Sequence, residues 1–355
     1  MVLAYHLVTT SAYGWLSSSS QAFGIARSIE AVGFAGVDLF FVISGVVMVY
    51  SSYSQLGDRR EVVPFIKRRV ARIYPLYWVC TAAVLAIAWF APSLATREKF
   101  DWPAIAKSFA LWPQEKYPIV AVGWTLTYEM FFYLVFAALI ALPRRVLPLA
   151  LCLWALGTLI AFSICDQPEF RESADGHLRL PLYASPLTLE FIAGCFIGWH
   201  ARSGRMRGGS ASLAAAFSLM LLGGYLNIVE PQQFGYGLWR VATFGTAAAL
   251  ATYGGIALEH SRKLSIPSAL RRCGDASYSL YLTHMYVLWA FAALWPRAGG
   301  ATVAGSRVAL TLLALAACGA AAAASYRFVE RPLHRQFLQL LRVPRHEGPG
   351  RTVVS

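Results

Sequence analysis

The sequence predicts an all-α, polytopic integral membrane protein with about ten transmembrane helices, and three observations carry that expectation. Of 355 residues, 57% are hydrophobic and 14% charged, with a mean hydropathy of +0.51, whereas soluble domains carry about 25% charged residues. Apolar stretches long enough to cross about 30 Å of hydrocarbon recur along nearly the whole chain. Basic residues gather in alternate intervening segments, as in chains that cross a bilayer repeatedly. The expected spans are Met1–Leu16, Gly33–Tyr53, Ile73–Ala91, Ile119–Leu142, Val146–Cys165, Leu180–His200, Ala211–Val229, Leu238–Leu258, Ala276–Trp295 and Ala304–Ser325. They form one membrane domain over residues 1–335, followed by a polar tail, 336–355, expected to be disordered.

Ionisable residues inside these spans are the first candidates for function, because each costs roughly 2.5–3.5 kcal/mol on insertion scales. In the first span, His6 of YHLVTT has the side chain best suited to accept and return a proton near neutral pH. The competing explanation is a histidine that hydrogen-bonds neighbouring helices. In the second, Asp38 of GVDLFFVISG either orients an imidazole or binds a cation such as Arg27, and Gly36 and Gly45 permit close helix approach. At the mouth of the third, FIKRRVARIYP holds Arg68, Arg69 and Arg72. Arg69 and Arg72 are three apart and share a helix face, a good clamp for phosphate. Anchoring to anionic lipid is the alternative.

The fourth span contains GWTLTYEMFFY, with Glu129 flanked by Trp124, Tyr128 and Tyr133. Unpaired, this carboxyl stays neutral; paired with His6 or an arginine it is charged. Glu190 in LEFIAGC has the same ambiguity. In the ninth span, SYSLYLTHM places Ser277, Tyr281 and His284 on one face, with Tyr278 beside them. This polar stripe either lines a substrate path or bonds helix to helix. At the end of the last span, Glu330 beside Arg331 in YRFVERPLHR reads as a helix-end salt bridge.

The net charge of +13 is topological and does not point to nucleic acid. The segments after spans two, four, six and eight, with the C-terminal tail, hold 21 of the 31 Lys and Arg. This places both termini in the cytoplasm. Trp102, Trp112 and Tyr117, in the outward segment Pro92–Pro118, are expected at headgroup level. The outer segment Asp166–Arg179, with His177, reads as a solvated surface open to a polar substrate. The six cysteines lie singly, without zinc or redox spacing, so no metal site is expected and they read as packing residues. The first span lacks the basic leader of a signal peptide.

These pieces, in this order, resemble the acyltransferase 3 family of bacterial membrane O-acyltransferases, especially its exopolysaccharide-modifying branch. The resemblance rests on His6, GVDLFFVISG, RRVARIYP, WTLTYEMFFY, SYSLYLTH and the terminal ERP. It implies a multi-pass protein of the bacterial inner membrane that moves an acyl group, usually acetyl, from acetyl-CoA to a hydroxyl of a surface polysaccharide or lipid-linked sugar. It implies no permanently bound cofactor. His6 matches the family's catalytic histidine, Arg69 and Arg72 its donor-holding RxxR, and Glu129 and Asp38 its motif acids; Arg68 is expected to assist the donor site. Glu190, Trp124, Tyr278, Tyr281 and His284 are expected to line the substrate path. On this view His6 deprotonates the acceptor or takes the acyl group itself, and Glu129 orients His6.

The family also has an arginine upstream of the histidine, beyond the reach of a chain that starts five residues before His6. An upstream start is the expectation. Two other readings stay open on the residues alone: a transporter of an acylated glycan or small solute, and a non-catalytic partner of a polysaccharide synthase. A transporter has no need of an arginine clamp for CoA.

Overall fold

The computed structural model describes residues 1–12, 20–90, 101–114, 116–165, 181–202, 204, 206–230, 237–261, 264–294 and 304–343. All regular structure among them is helical. The expectations for Asp166–Arg179, for the end of the first span and for the tail beyond 343 lie outside these residues. Seven helical runs are long and apolar enough to cross a membrane: Ala26–Gln55, Arg59–Phe90, Ala121–Ile140, Arg144–Cys165, Gly209–Val229, Leu238–His260 and Ala309–Leu340. Leu187–Ala201 is apolar but shorter. The protein is thus an all-α polytopic membrane protein.

The helices that build the site are α1 (Val2–Ala12), α2 (Ser20–Gly33), α3 (Gly36–Ser52), α4 (Val62–Phe90), α5 (Trp102–Ala110), α6 (Trp124–Ile140), α7 (Leu147–Cys165), α8 (Leu187–Ala201) and α9 (Gly209–Val229). They are followed by α10 (Leu238–Arg240), which runs through a π-helical turn, Val241–Gly245, into α11 (Thr246–His260). Then come α12 (Ser268–Asp275), α13 (Ser277–Leu294), α14 (Ala304–Ser325), a second π turn, Tyr326–Glu330, and α15 (Arg331–Leu340).

Helix α2 was not among the expected spans. Its composition, SQAFGIARSIEAVG, breaks an apolar window while keeping helical spacing. Helix α4 starts at Val62 and not at Ile73, because Asp58 caps the preceding turn by accepting from Arg60 N–H at 2.9 Å. The arginine segment is therefore helical. Helix α15 runs from Arg331 to Leu340, across the boundary set at residue 335.

Backbone contact fixes α3 against α8. A Cβ added to Gly45 would strike the carbonyl oxygen of Phe191, and one on Gly194 that of Val42; on Gly198 it would come within 2.7 Å of Val46 O. Gly194 and Gly198 are a GxxxG pair, the spacing that lets helices approach closely where the hydrophobic effect offers no preference. The close approach brings the first turns of both helices together, with Asp38 and Glu190 in them.

A proline secures the other end. Pro75 lies inside α4 and has no N–H, which leaves the carbonyl of Ala71 without its helical partner. His334 of α15 fills it, Nδ1 donating to Ala71 O at 3.0 Å. Lys67 Nζ donates to Leu341 O at 2.9 Å one turn earlier. The terminal helix is a fitted part of the bundle.

Candidate active site

A cavity of about 550 Å³ opens between α1, α2, the start of α6, the end of α9, α10 and α13, walled by His6, Glu30, Trp124, Asn227, Arg240 and Tyr281 among others. Tyr117, expected at headgroup level, also faces it. Tyr281 is pinned by two bonds, donating to Val122 O at 2.7 Å and pairing with Thr125 Oγ1 at 2.6 Å. The floor of the cavity is thereby tied to the start of α6.

His6 Nδ1 lies 2.9 Å from His284 Nε2, and His284 Nδ1 lies 2.9 Å from the carbonyl of Leu280. These contacts fix the tautomers. A carbonyl only accepts, so His284 carries its proton on Nδ1 and its Nε2 is an acceptor. His6 must then donate from Nδ1, leaving the lone pair of His6 on Nε2. The relay presents His6 as a base in its neutral form.

Glu129 is not part of this relay. Its Oε1 accepts from Tyr133 and, at 3.3 Å, from Ser44, and Arg69 and Arg72 are the cations acting on it. The expectation that Glu129 orients His6 is corrected by His284, which occupies the orienting position. The reason is register: Tyr133 is one turn below Glu129 on α6, so the carboxyl turns toward the arginine end of the bundle.

Arg69 stands over the rings of Phe65 and Tyr133, 5.2 and 5.5 Å from their centroids, and donates to Ser51 Oγ at 3.2 Å. Its buried Nε has no partner in the described residues. Arg72 pairs with Glu330, whose second oxygen accepts from Ser279 at 2.6 Å. Glu330 therefore pairs with Arg72 of the RxxR segment, not with its neighbour Arg331. Arg68 is engaged elsewhere, donating to Gln55 at 3.0 Å and Glu61 at 3.4 Å. It staples the segment before α4 and stands apart from the other two.

Asp38 pairs with Arg240, not with Arg27. Arg240 Nε donates to Asp38 Oδ1 at 2.9 Å and Nη2 to Oδ2 at 2.8 Å, with Asp38 fully buried and Arg240 4% exposed. Glu190 lies against Asp38, and neither of its oxygens has a donor among the described residues. Gly245, in the π turn after Arg240, makes room for it: a Cβ there would come within 2.8 Å of Glu190 Oε1. Glu190 thus backs the ion pair and does not line the cavity.

Among the expected lining residues, Trp124, Tyr281 and His284 gather at the His6 end. Tyr278 donates to Ile73 O at 2.7 Å and lies under Arg72, 5.4 Å from its ring centroid. Ser277 is exposed, and the buried serine of α13 is Ser279. Arg240 and the Arg72–Glu330 pairing were missed in the sequence. Arg240 is itself a charge inside an apolar span, the signal that identified the others.

A family model for the acyltransferase domain (acyltransferase 3) matches residues 1–326. The chain belongs to the acyltransferase 3 family. It is 35% identical over 324 residues to the exopolysaccharide production protein ExoZ of Rhizobium meliloti strain 1021, covering 86% of this chain and 90% of that one. It is 28% identical over 284 residues to the acyltransferase MdmB of Streptomyces mycarofaciens, 73% of this chain and 69% of that protein. With the O-acetyltransferase OatA of Staphylococcus aureus strain NCTC 8325 it shares 26% identity over 351 residues, which cover 91% of this chain and 56% of OatA. No solved structure matches. The acyltransferase 3 protein described here is a membrane O-acyltransferase, an enzyme that needs an acyl donor, and the transporter reading falls.

Proposed function

We propose that this protein transfers an acyl group, most simply acetyl, from acyl-CoA to a hydroxyl of a cell-surface or lipid-linked carbohydrate in the bacterial inner membrane. The observation that carries the reading is the His6–His284 pair at the wall of the cavity. A neutral histidine, held in one tautomer and bordered by Trp124, Tyr281, Glu30 and Asn227, suits a sugar: flat apolar surface for a ring and polar groups for its hydroxyls. ExoZ by name produces exopolysaccharide and OatA transfers O-acetyl groups, which favours a carbohydrate acceptor and acetyl as the group moved.

The basic end of the bundle, with the C-terminal helix, faces the cytoplasm. Arg69 and Arg72 meet the phosphates of the donor there, and its thin pantetheine arm reaches toward His6. The acceptor hydroxyl approaches from the cavity. His6 Nε2 takes its proton as the oxygen attacks the thioester carbonyl, and His284 holds the resulting imidazolium through the His6 Nδ1–H. Such assistance is worth about 10²–10⁴-fold in rate.

The test is transfer of labelled acetyl from acetyl-CoA by purified protein in liposomes, together with NMR of surface polysaccharide from cells with and without the gene. Loss of O-acetyl signals on deletion, restored by wild type and not by His6→Ala, is the expected result. Polysaccharide acetylated normally in the His6→Ala strain would overturn it.

A further inference from the structure

We infer that the Tyr5 hydroxyl and the Glu30 carboxylate bind the acceptor, and that the sugar they hold carries a free hydroxyl beside the one being acylated. This inference rests on the reaction proposed above and deepens its acceptor site.

Most polar side chains of the cavity wall are already engaged within the protein. Tyr281 is held by Val122 and Thr125, and Arg240 pairs with Asp38. Asn227 Nδ2 donates to Ala31 O at 3.1 Å and Arg27 Nη2 to Ile228 O at 3.5 Å. Tyr5 and Glu30 differ. Both line the cavity, and neither the hydroxyl nor the carboxylate has a hydrogen-bond partner among the described residues. The polar groups acting on the Tyr5 hydroxyl are those of Glu30, Tyr117 and Arg240, all in the same wall. Convergent, unengaged polar groups in a largely apolar pocket are what orients a ligand there.

Tyr5 directly precedes His6, and its ring packs edge-on against the imidazole with centroids 5.2 Å apart. Phe34 meets the same ring edge-on at 6.4 Å. Gly33 lets α2 cross α1 at this point, since a Cβ there would come within 2.8 Å of Tyr5 Cβ. The phenol is thus held by its neighbours before any ligand arrives, which lowers the ordering cost of binding. Glu30 precedes Phe34 by four residues and shares its face of α2. Its backbone therefore stands about 6 Å along the helix from the Phe34 contact with Tyr5, a span comparable to a sugar ring.

The chemistry of the two groups narrows the ligand. A carboxylate only accepts, so the partner of Glu30 must bring a proton, whereas a phenol can donate or accept. A sugar with its reacting hydroxyl at His6 Nε2 offers such protons from its neighbouring hydroxyls. An ester, a phosphate or a carboxylate at that neighbouring position has no proton to give at neutral pH, and the two anions would also face a like charge.

A tyrosine that served only to wedge His6 would keep that service in Tyr5→Phe, which removes the hydroxyl and leaves the ring. The experiment measures acetyl transfer in liposomes by Tyr5→Phe and Glu30→Gln beside wild type and His6→Ala. The substrates are acetyl-CoA and the unacetylated glycan, lipid-linked or released, from cells lacking the gene. Acceptor KM should rise about 3–10-fold in Tyr5→Phe and about 10-fold or more in Glu30→Gln, as for loss of a neutral and of a charged hydrogen bond. The KM for acetyl-CoA should stay at the wild-type value, and kcat at saturating acceptor within a few-fold of it. NMR of the wild-type glycan should place the acetyl on a sugar with a free hydroxyl next to it. Wild-type acceptor KM in either variant, a loss confined to kcat, or an acetyl whose neighbouring positions are all substituted overturns the assignment. If His6→Ala retains transfer, the reaction itself is misread; if His6→Ala is inactive and both variants keep wild-type acceptor KM, only the role of Tyr5 and Glu30 fails.

Discussion

His284 Nε2 receives a hydrogen bond from His6 Nδ1 at 2.9 Å across 278 positions of chain, and its own Nδ1 is anchored to Leu280 O. The second histidine therefore sets both the tautomer and the ring plane of the first. His284→Ala should lower kcat by about 10²-fold or more, in the range of general-base assistance, with donor KM nearly unchanged. His284→Gln, whose amide oxygen can accept from His6 Nδ1–H, should recover part of that loss. Steady-state acetyl transfer by the two variants checks this, and equal activity of both would show that tautomer control is not the role of His284.

Arg69 and Arg72 should act on the donor. Each hydrogen bond to a charged group is worth about 1.5–3 kcal/mol, so Arg69→Ala or Arg72→Ala should raise the KM for acetyl-CoA roughly 10–100-fold. Glu330→Gln removes the carboxylate that competes for Arg72 and should lower that KM. Competition by free CoA, measured in each variant, separates donor binding from turnover.

Glu129 should behave with the arginines and not with the histidines. Its oxygen is taken by Tyr133 and Ser44, beside Arg69. Glu129→Gln and Arg69→Lys should be strongly non-additive in a double-mutant cycle, while Glu129→Gln and His284→Gln should add within about 0.5 kcal/mol. The cycle is read from kcat/KM for acetyl-CoA.

The α3–α8 contact leaves no room for a side chain. Gly194→Val forces the valine against Val42 O and should destabilise the protein by at least about 1–3 kcal/mol, the usual cost of overpacking. Because the same contact aligns Asp38 and Glu190, activity should fall in the protein that still folds. Thermal unfolding in detergent, followed by fluorescence, reads the first effect.

How much of this was legible beforehand depended on the kind of signal. Span-length apolar runs gave the fold class, and charges inside them marked His6, Asp38, Glu129, Glu190 and His284. Pairings were not legible. The motifs suggest Glu129 beside His6, yet one turn of α6 sends the carboxyl toward Arg69, and a histidine nearly three hundred residues away takes its expected place. Asp38 likewise bonds a cation on α10, with the nearer Arg27 left to the cavity rim. Helix α2 escaped notice because Arg27, Ser28 and Glu30 interrupt its hydrophobicity; Arg27 and Glu30 border the cavity.

The vacancy that Pro75 leaves on Ala71 has a consequence for biogenesis. Helix α4 is made long before residue 334, so the Ala71 carbonyl must wait 263 positions of chain for its partner. His334 supplies that partner, and Glu330, four residues before it, reaches Arg72. The arginine segment of α4 thus takes its final surroundings from residues about 260 positions further along the chain, and they form only after the last helix has been made.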